Sequence, residues 1–205
     1  MSLFIIWLGV MFPLVFSPGP ANIIFAASGA KVGVRRSIPL LAGIDCVFIL
    51  KSVIVGYGLG QIMHEQPLIM NILQLVGAFY LIYLALKFLP KKATTTKQPQ
   101  KTMGFRDGLL IQLLNSKGWL MLFLMFSIFT EKANDAYAEQ GVIILIVWLA
   151  ILNISLHFVW IMTGHILANI SDNPHYERAL STLYASSLLA VSIWLLLDNP
   201  LWLNT

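Results

Sequence analysis

The chain has 205 residues, 58% of them hydrophobic and 11% charged, and its mean hydropathy is +0.80. A soluble domain carries roughly 25% charged residues, so a water-soluble enzyme domain and a disordered protein are excluded, and the single cysteine, Cys46, excludes an internal disulfide framework. The net charge of +4 and pI near 9.3 arise from Lys and Arg in short gaps between apolar runs, a pattern of bilayer orientation rather than of nucleic-acid binding.

A spanning helix needs about 20 mostly apolar residues, and six stretches qualify in chain order. The first runs Leu3 to Ala30, the second Ile38 to Met63, the third Leu68 to Leu89, the fourth Gly108 to Thr130, the fifth Gly141 to Leu167 and the sixth Ala179 to Leu197. Residues 1–16 lack Lys and Arg, and the apolar stretch continues past Ser17-Pro18-Gly19-Pro20. The first span is therefore expected to be retained rather than cleaved as a signal peptide. The expected fold class is an all-α membrane protein of six transmembrane helices forming one domain, residues 1–205. It divides into halves 1–89 and 105–205, joined by a polar linker at 90–104. Three spans per half is an odd number, so the halves have inverted topology, an arrangement common in secondary transporters.

Lys and Arg orient the spans. Ten of the thirteen lie in the first, third and fifth gaps (Lys31, Arg35, Arg36, the cluster from Lys87 to Arg106, and Arg178), and one, Lys132, lies in the fourth. The ten belong on the cytoplasmic side, which places both termini outside. Trp7 and Trp202 fall near the outer ends of their spans, where interfacial aromatics are expected.

The chemistry-bearing features are interruptions and charges inside spans. Pro18, Gly19 and Pro20 remove two backbone donors and break the first helix, with Asn22 just beyond. Asn115, Ser116 and Lys117 stand at the corresponding place in the fourth span, 98 residues after Ser17. Paired interruptions of this kind point to a midplane binding site, although a packing kink is the plain alternative. Asp45, Lys51 and Lys117 are intramembrane charges, each costing roughly 2.5–3.5 kcal/mol if unpaired. Asp45 and Lys117 lie about 10 and 14 Å from the inner end at 1.5 Å per residue, so a pair between them is expected. Lys51 either serves proton coupling or snorkels outward. Asn153 and His157 share a helix face four residues apart, and His157 is either a proton relay or a hydrogen-bonded neutral histidine. His64, His157, His165 and His175 are scattered, so no metal is expected, and no cofactor motif is present. Gly29 with Gly33, and Gly56 with Gly60, form GxxxG pairs that suit close helix packing or a homodimer.

These residues resemble the LysE/RhtB family of bacterial amino-acid exporters. The resemblance rests on Ser17-Pro18-Gly19-Pro20-Ala21-Asn22, Ala42-Gly43-Ile44-Asp45, the run Gly77 to Leu84, and Phe105-Arg106-Asp107-Gly108 leading into Leu114-Asn115-Ser116-Lys117. The family usually has Asn-Pro-Lys in the fourth span, and Ser116 stands here in place of the proline, which implies a softer break. The resemblance implies export of amino acids or similar small zwitterions, coupled to a cation gradient, with protons as the expected ion. Pro18, Gly19, Pro20, Asn22, Asp45, Asn115 and Lys117 would then bind substrate, and Asp45, Lys51 and His157 would couple protons. The alternatives are a small channel lined by the buried charges and a membrane scaffold that transports nothing.

Overall fold

The computed structural model describes residues 2–59, 67–89, 102–170, 174–197 and 199. The described residues are helical and contain no strand. The helices are α1 (Leu3–Phe16), α2 (Pro20–Val32), α3 (Val34–Ile54), α4 (Pro67–Phe88), α5 (Phe105–Leu113), α6 (Ser116–Tyr137), α7 (Gly141–Asn169) and α8 (Pro174–Leu197). His64, Gly60, Trp202 and nearly all of the expected linker lie outside the described residues.

By length and composition, Val34–Gly58, Ser116–Asn169 and Arg178–Leu197 are long and apolar enough to cross a membrane, and α1 with α2 makes a fourth span if taken together. Ser116–Asn169 contains both α6 and α7. The chain turns between them at Ala138, a non-glycine residue at φ 52°, and α6 then packs against α7. Large apolar side chains such as Leu50, Leu120, Ile151 and Trp194 are more than half exposed on the outer faces of α3, α6, α7 and α8. A water-soluble monomer does not expose apolar surface this widely, whereas lipid-facing surface does. The chain is a multi-pass membrane protein.

Local sequence sets where the helices stop. The first expected span is two helices bent by 61°. Ser17 closes α1 through its N–H to Pro13 O at 3.0 Å, and its hydroxyl donates to Leu14 O at 2.8 Å. Pro20 opens α2 at its first position, where a missing N–H costs nothing. The fourth expected span is also divided, α5 ending at Leu113 and α6 beginning at Ser116. The break is present without a proline, because Asn115 takes an extended backbone conformation (φ −78°, ψ 97°) at the start of α6. Gly33 at φ 79° turns α2 into α3, and Gly58 at φ 97° ends the wide turn after α3.

The interior is divided into two apolar cores. One gathers Ile24, Phe25, Leu40, Ile44, Leu84 and Leu188 with their neighbours. It lies toward the end carrying Arg35, Arg36 and Arg106. The other gathers Trp7, Met11, Phe48, Leu122, Phe129 and Leu145 with theirs, toward the opposite end. Trp7 is 1% exposed, its ring packed against Phe4 and Trp148. Between the cores lies a layer of buried polar side chains: Asn22, Asp45, Lys51, Gln112, Asn153 and His157.

The core at the basic end is closed by backbone contact. A Cβ on Gly29 would fall on the Ile161 carbonyl, and one on Gly164 would fall on the Ala26 carbonyl. This reciprocal seam joins α2 to α7. Gly43 and Gly108 form a second seam joining α3 to α5, against Phe105 and Leu40 carbonyls. Small residues allow such approach between membrane helices. Gly29 therefore packs within the chain, and Gly33 serves the turn. At the opposite end Gly9 meets nothing within 4 Å, the nearest atoms to Gly56 belong to the side chains of Phe126 and Val142, and main-chain contact is made by Gly141 on Ala133 and Asn134 within the turn from α6 to α7.

Candidate functional site

Both helix breaks open onto the polar layer, and each leaves carbonyls without intrahelical partners. In the first break Asn22 turns back and donates from Nδ2 to Val15 O at 2.8 Å and to Ser17 O at 3.0 Å. Lys117, at the start of α6, reaches the same break. Its Nζ donates to Ser17 Oγ at 2.7 Å and to Ser17 O at 3.0 Å. The lysine stem lies against Gly19, where an added Cβ would stand 2.9 Å from Lys117 Cδ and 3.0 Å from Nζ. Gly19 has an extended backbone, φ −135°, so glycine serves here by leaving room for the lysine.

The second break is held in the same manner from the other side. Lys51 of α3 is 1% exposed and donates to the carbonyls of Gln112 and, at 3.4 Å, Asn115. Its Nζ also lies 4.5 Å from the centre of the Trp119 ring, a favourable cation–π placement. Within the break Asn115 donates from Nδ2 to Gln112 Oε1 at 3.0 Å. Each lysine thus crosses from one half of the sequence to satisfy carbonyls freed in the other. The snorkelling alternative for Lys51 is overturned, because the break in the fourth span supplies acceptors inside the protein.

Asp45 does not pair with Lys117, contrary to the expectation from depth. Its Oδ1 accepts from His157 Nδ1 at 2.8 Å and from Asn153 Nδ2 at 2.9 Å. Depth along a helix does not fix the direction in which a side chain points. Asp45 faces α7, which packs on α3, while Lys117 turns to the break in the first span. Asn153 and His157 do act from one helical face, as their spacing implies. His157 is also packed at 4.5 Å, ring centre to ring centre, against Phe25. For Nδ1 to donate to Asp45 it must carry a proton, in either the neutral or the charged ring. Two buried atoms of the layer have no hydrogen-bond partner: Asp45 Oδ2 and Asn115 Oδ1. Buried acceptors of this kind call for a proton, a water or a ligand group.

A pocket lies in the layer. Gly19, Pro20 and Asn22 form one wall, Gln112, Asn115 and Lys117 a second, and Asn153 and His157 a third, with Val15, Phe48 and Met121 closing it on the side of the second core. Of the residues expected to act, Gly19, Pro20, Asn22, Asn115, Lys117 and His157 line it. Asp45 stands behind Asn153 and His157, Lys51 behind Gln112 and Asn115, and Pro18 is exposed. Sequence reasoning missed Ser17 as the acceptor of Lys117 and Gln112 as the acceptor of Lys51. The available signal was Gln112 itself, an uncharged polar residue in an apolar span three positions before Asn115, hence on its face. Among the described residues no three His, Cys, Asp or Glu side chains converge to hold a metal.

A family model described as "LysE type translocator" matches residues 12–199, a range that contains both breaks and the whole polar layer. The chain belongs to the LysE type translocator family. As a member it is a transporter and not an enzyme. Similar proteins include the cysteine/O-acetylserine efflux protein of Salmonella paratyphi A, 27% identical over 86% of this chain and 89% of that protein. The protein of that name in Klebsiella pneumoniae is 24% identical over 89% of this chain and 91% of its own length. An uncharacterised membrane protein of Vibrio cholerae is 27% identical over 65% of this chain and 69% of its own. No solved structure matches.

Proposed function

We propose that this LysE type translocator is a secondary exporter of amino acids or related small zwitterions. In this reading it has six spans in two inverted halves of three, with both termini outside the cytoplasm. The repeated order supports the two halves. A broken helix (α1 with α2, α5 with α6) is followed in each case by two further helices (α3 and α4, α7 and α8). The second helices of the halves pack on each other, as do the third.

The observation that carries the transport reading is the polar layer between two apolar cores, where both broken helices and a buried carboxylate meet at one pocket. An amino acid presents a carboxylate and an ammonium. The carboxylate suits the Lys117 ammonium, placed beside the N-terminal end of α2 with its positive dipole. The ammonium suits acceptors on the opposite walls, Asn115 Oδ1 and, after a local shift, Asp45 Oδ2. Asp45 with His157 forms the proton-coupling pair. A carboxylate that accepts two donors on one oxygen and none on the other can take a proton or a cation on the free oxygen. Efflux proteins among the relatives support the direction of transport.

The test is uptake of labelled amino acids into inverted vesicles, with and without an imposed pH gradient. Saturable uptake that depends on the gradient and is lost in Asp45→Asn supports the reading. Large unitary currents in planar bilayers, or no flux from reconstituted protein, refute it.

A further inference from the structure

We infer that the site selects substrates by net charge, accepting amino acids with neutral or acidic side chains and rejecting those with a cationic side chain, because Lys51 and Lys117 leave the polar layer with a surplus positive charge. The inference rests on the amino-acid reading above and specifies which amino acids fit it.

The charged side chains at the level of the polar layer are Asp45, Lys51 and Lys117. Asp45 is engaged by His157 and Asn153. The lysines have neutral partners. Lys117 meets a carbonyl and a hydroxyl of Ser17. Lys51 meets the carbonyls of Gln112 and Asn115 and the face of Trp119. Carbonyl oxygens and an aromatic face accept and do not donate, and the Ser17 hydroxyl gives its own proton to Leu14 O, so both surroundings fit an ammonium, which has three donors and no acceptor. With His157 neutral the three charges sum to one positive, and with His157 protonated they sum to two. A zwitterion leaves that sum unchanged, an acidic amino acid lowers it, and a basic one raises it.

Low dielectric makes the difference large enough to read. A unit charge about 10 Å away, at an effective dielectric near 20, changes affinity for a further cation by roughly tenfold. Lys51 is the residue that isolates the effect, because it stands behind the pocket wall. It acts on a ligand through its field and through the segment it holds, not by contact.

The experiment uses two matched sets of labelled amino acids in inverted vesicles at pH 6, where free lysine side chains are charged. One set is homoserine, 2,4-diaminobutyrate and aspartate, and the other is norvaline, ornithine and glutamate. Within each set the side chains are similar in length and differ in charge. The full-length wild type is expected to move the neutral member at least about tenfold faster, per unit concentration, than the cationic one, with the acidic member not disfavoured to that degree. Lys51→Gln keeps a donor for the Gln112 carbonyl and removes the charge, and should narrow the neutral-to-cationic ratio by about tenfold. Lys51→Arg keeps the charge and should retain the ratio. Equal movement of neutral and cationic members by the wild type overturns the charge inference and leaves the amino-acid reading standing. A ratio unchanged in Lys51→Gln overturns the role of Lys51. If no member of either set moves, the amino-acid reading falls, and this inference with it.

Discussion

Asp45→Asn separates the transport role of the carboxylate from its structural one. The asparagine keeps an oxygen where Oδ1 accepts from His157 and Asn153, and places its amide at the position of Oδ2, which has no partner. Both hydrogen bonds survive but lose charge assistance, about 1 kcal/mol each from the difference between charged and neutral bonds. Removing a buried carboxylate also removes its desolvation cost, which offsets much of that loss. Net stability should change by no more than about 2 kcal/mol, read as a small shift of thermal unfolding in detergent. Asp45→Leu leaves both donors unsatisfied at about 1–3 kcal/mol each, and should unfold several degrees earlier than Asp45→Asn. Gradient-driven uptake into inverted vesicles should fall at least about 100-fold in Asp45→Asn, equivalent to about 2.7 kcal/mol. A well-folded Asp45→Asn protein that transports at the wild-type rate would falsify the assignment of Asp45 to coupling.

Gly19→Ala should displace Lys117 and slow transport by about tenfold or more, and combining it with Lys117→Ala should add little to the single lysine change, since the clash is then absent. A double variant with the full sum of both losses would show that Gly19 acts independently of the lysine. Gly164→Val puts atoms on the Ala26 carbonyl and should cost about 1–3 kcal/mol or more by overpacking, whereas Gly9→Ala, with open space, should stay within about 0.5 kcal/mol. Comparable thermal shifts for the two would refute the seam between α2 and α7. Lys51→Met should destabilise the fold by about 1–3 kcal/mol through the Asn115 carbonyl it leaves without its donor, the Gln112 carbonyl keeping the Asn115 N–H at 3.2 Å, and an unchanged unfolding temperature would deny that contact. Alkaline phosphatase fused after Thr205 should be active in cells and inactive when fused at Lys97, the reverse result reversing the proposed orientation.

The helix breaks were legible because their causes are local. Pro18, Gly19 and Pro20 act on their own backbone, and Asn115 sits where polar residues interrupt an otherwise apolar run. The joint action of Asn153 and His157 was legible from a spacing of four. Partner choice was not. In a membrane helix the lipid face and the protein face are both apolar, so periodicity does not tell which way Asp45 points, and depth alone suggested Lys117. The roles of Ser17 and Gln112 as acceptors were missed because each offers the lysines a backbone carbonyl, which no sequence pattern marks, and because nothing local tells that the Ser17 hydroxyl meets a lysine 100 residues away. Among the described residues the stretches long and apolar enough to span are fewer than the six read from the sequence, since α6 and α7 run together in Ser116–Asn169 and the first break cuts α1 and α2 into pieces shorter than a bilayer.

The two glycine seams give the ends of the molecule different mechanical characters. At the end bearing Arg35, Arg36 and Arg106, main chain rests on main chain with no side chain between, so there is no rotamer to yield and nothing to absorb a partial parting. Such a contact behaves as a latch, fully shut or fully released. At the far end such a contact is confined to the hairpin of α6 and α7, where Gly141 meets the Ala133 and Asn134 main chain, and the rest is filled by interleaved rings and methionines that can re-pack by degrees. A cargo in the central pocket would therefore meet a yielding door on one side and an all-or-none one on the other.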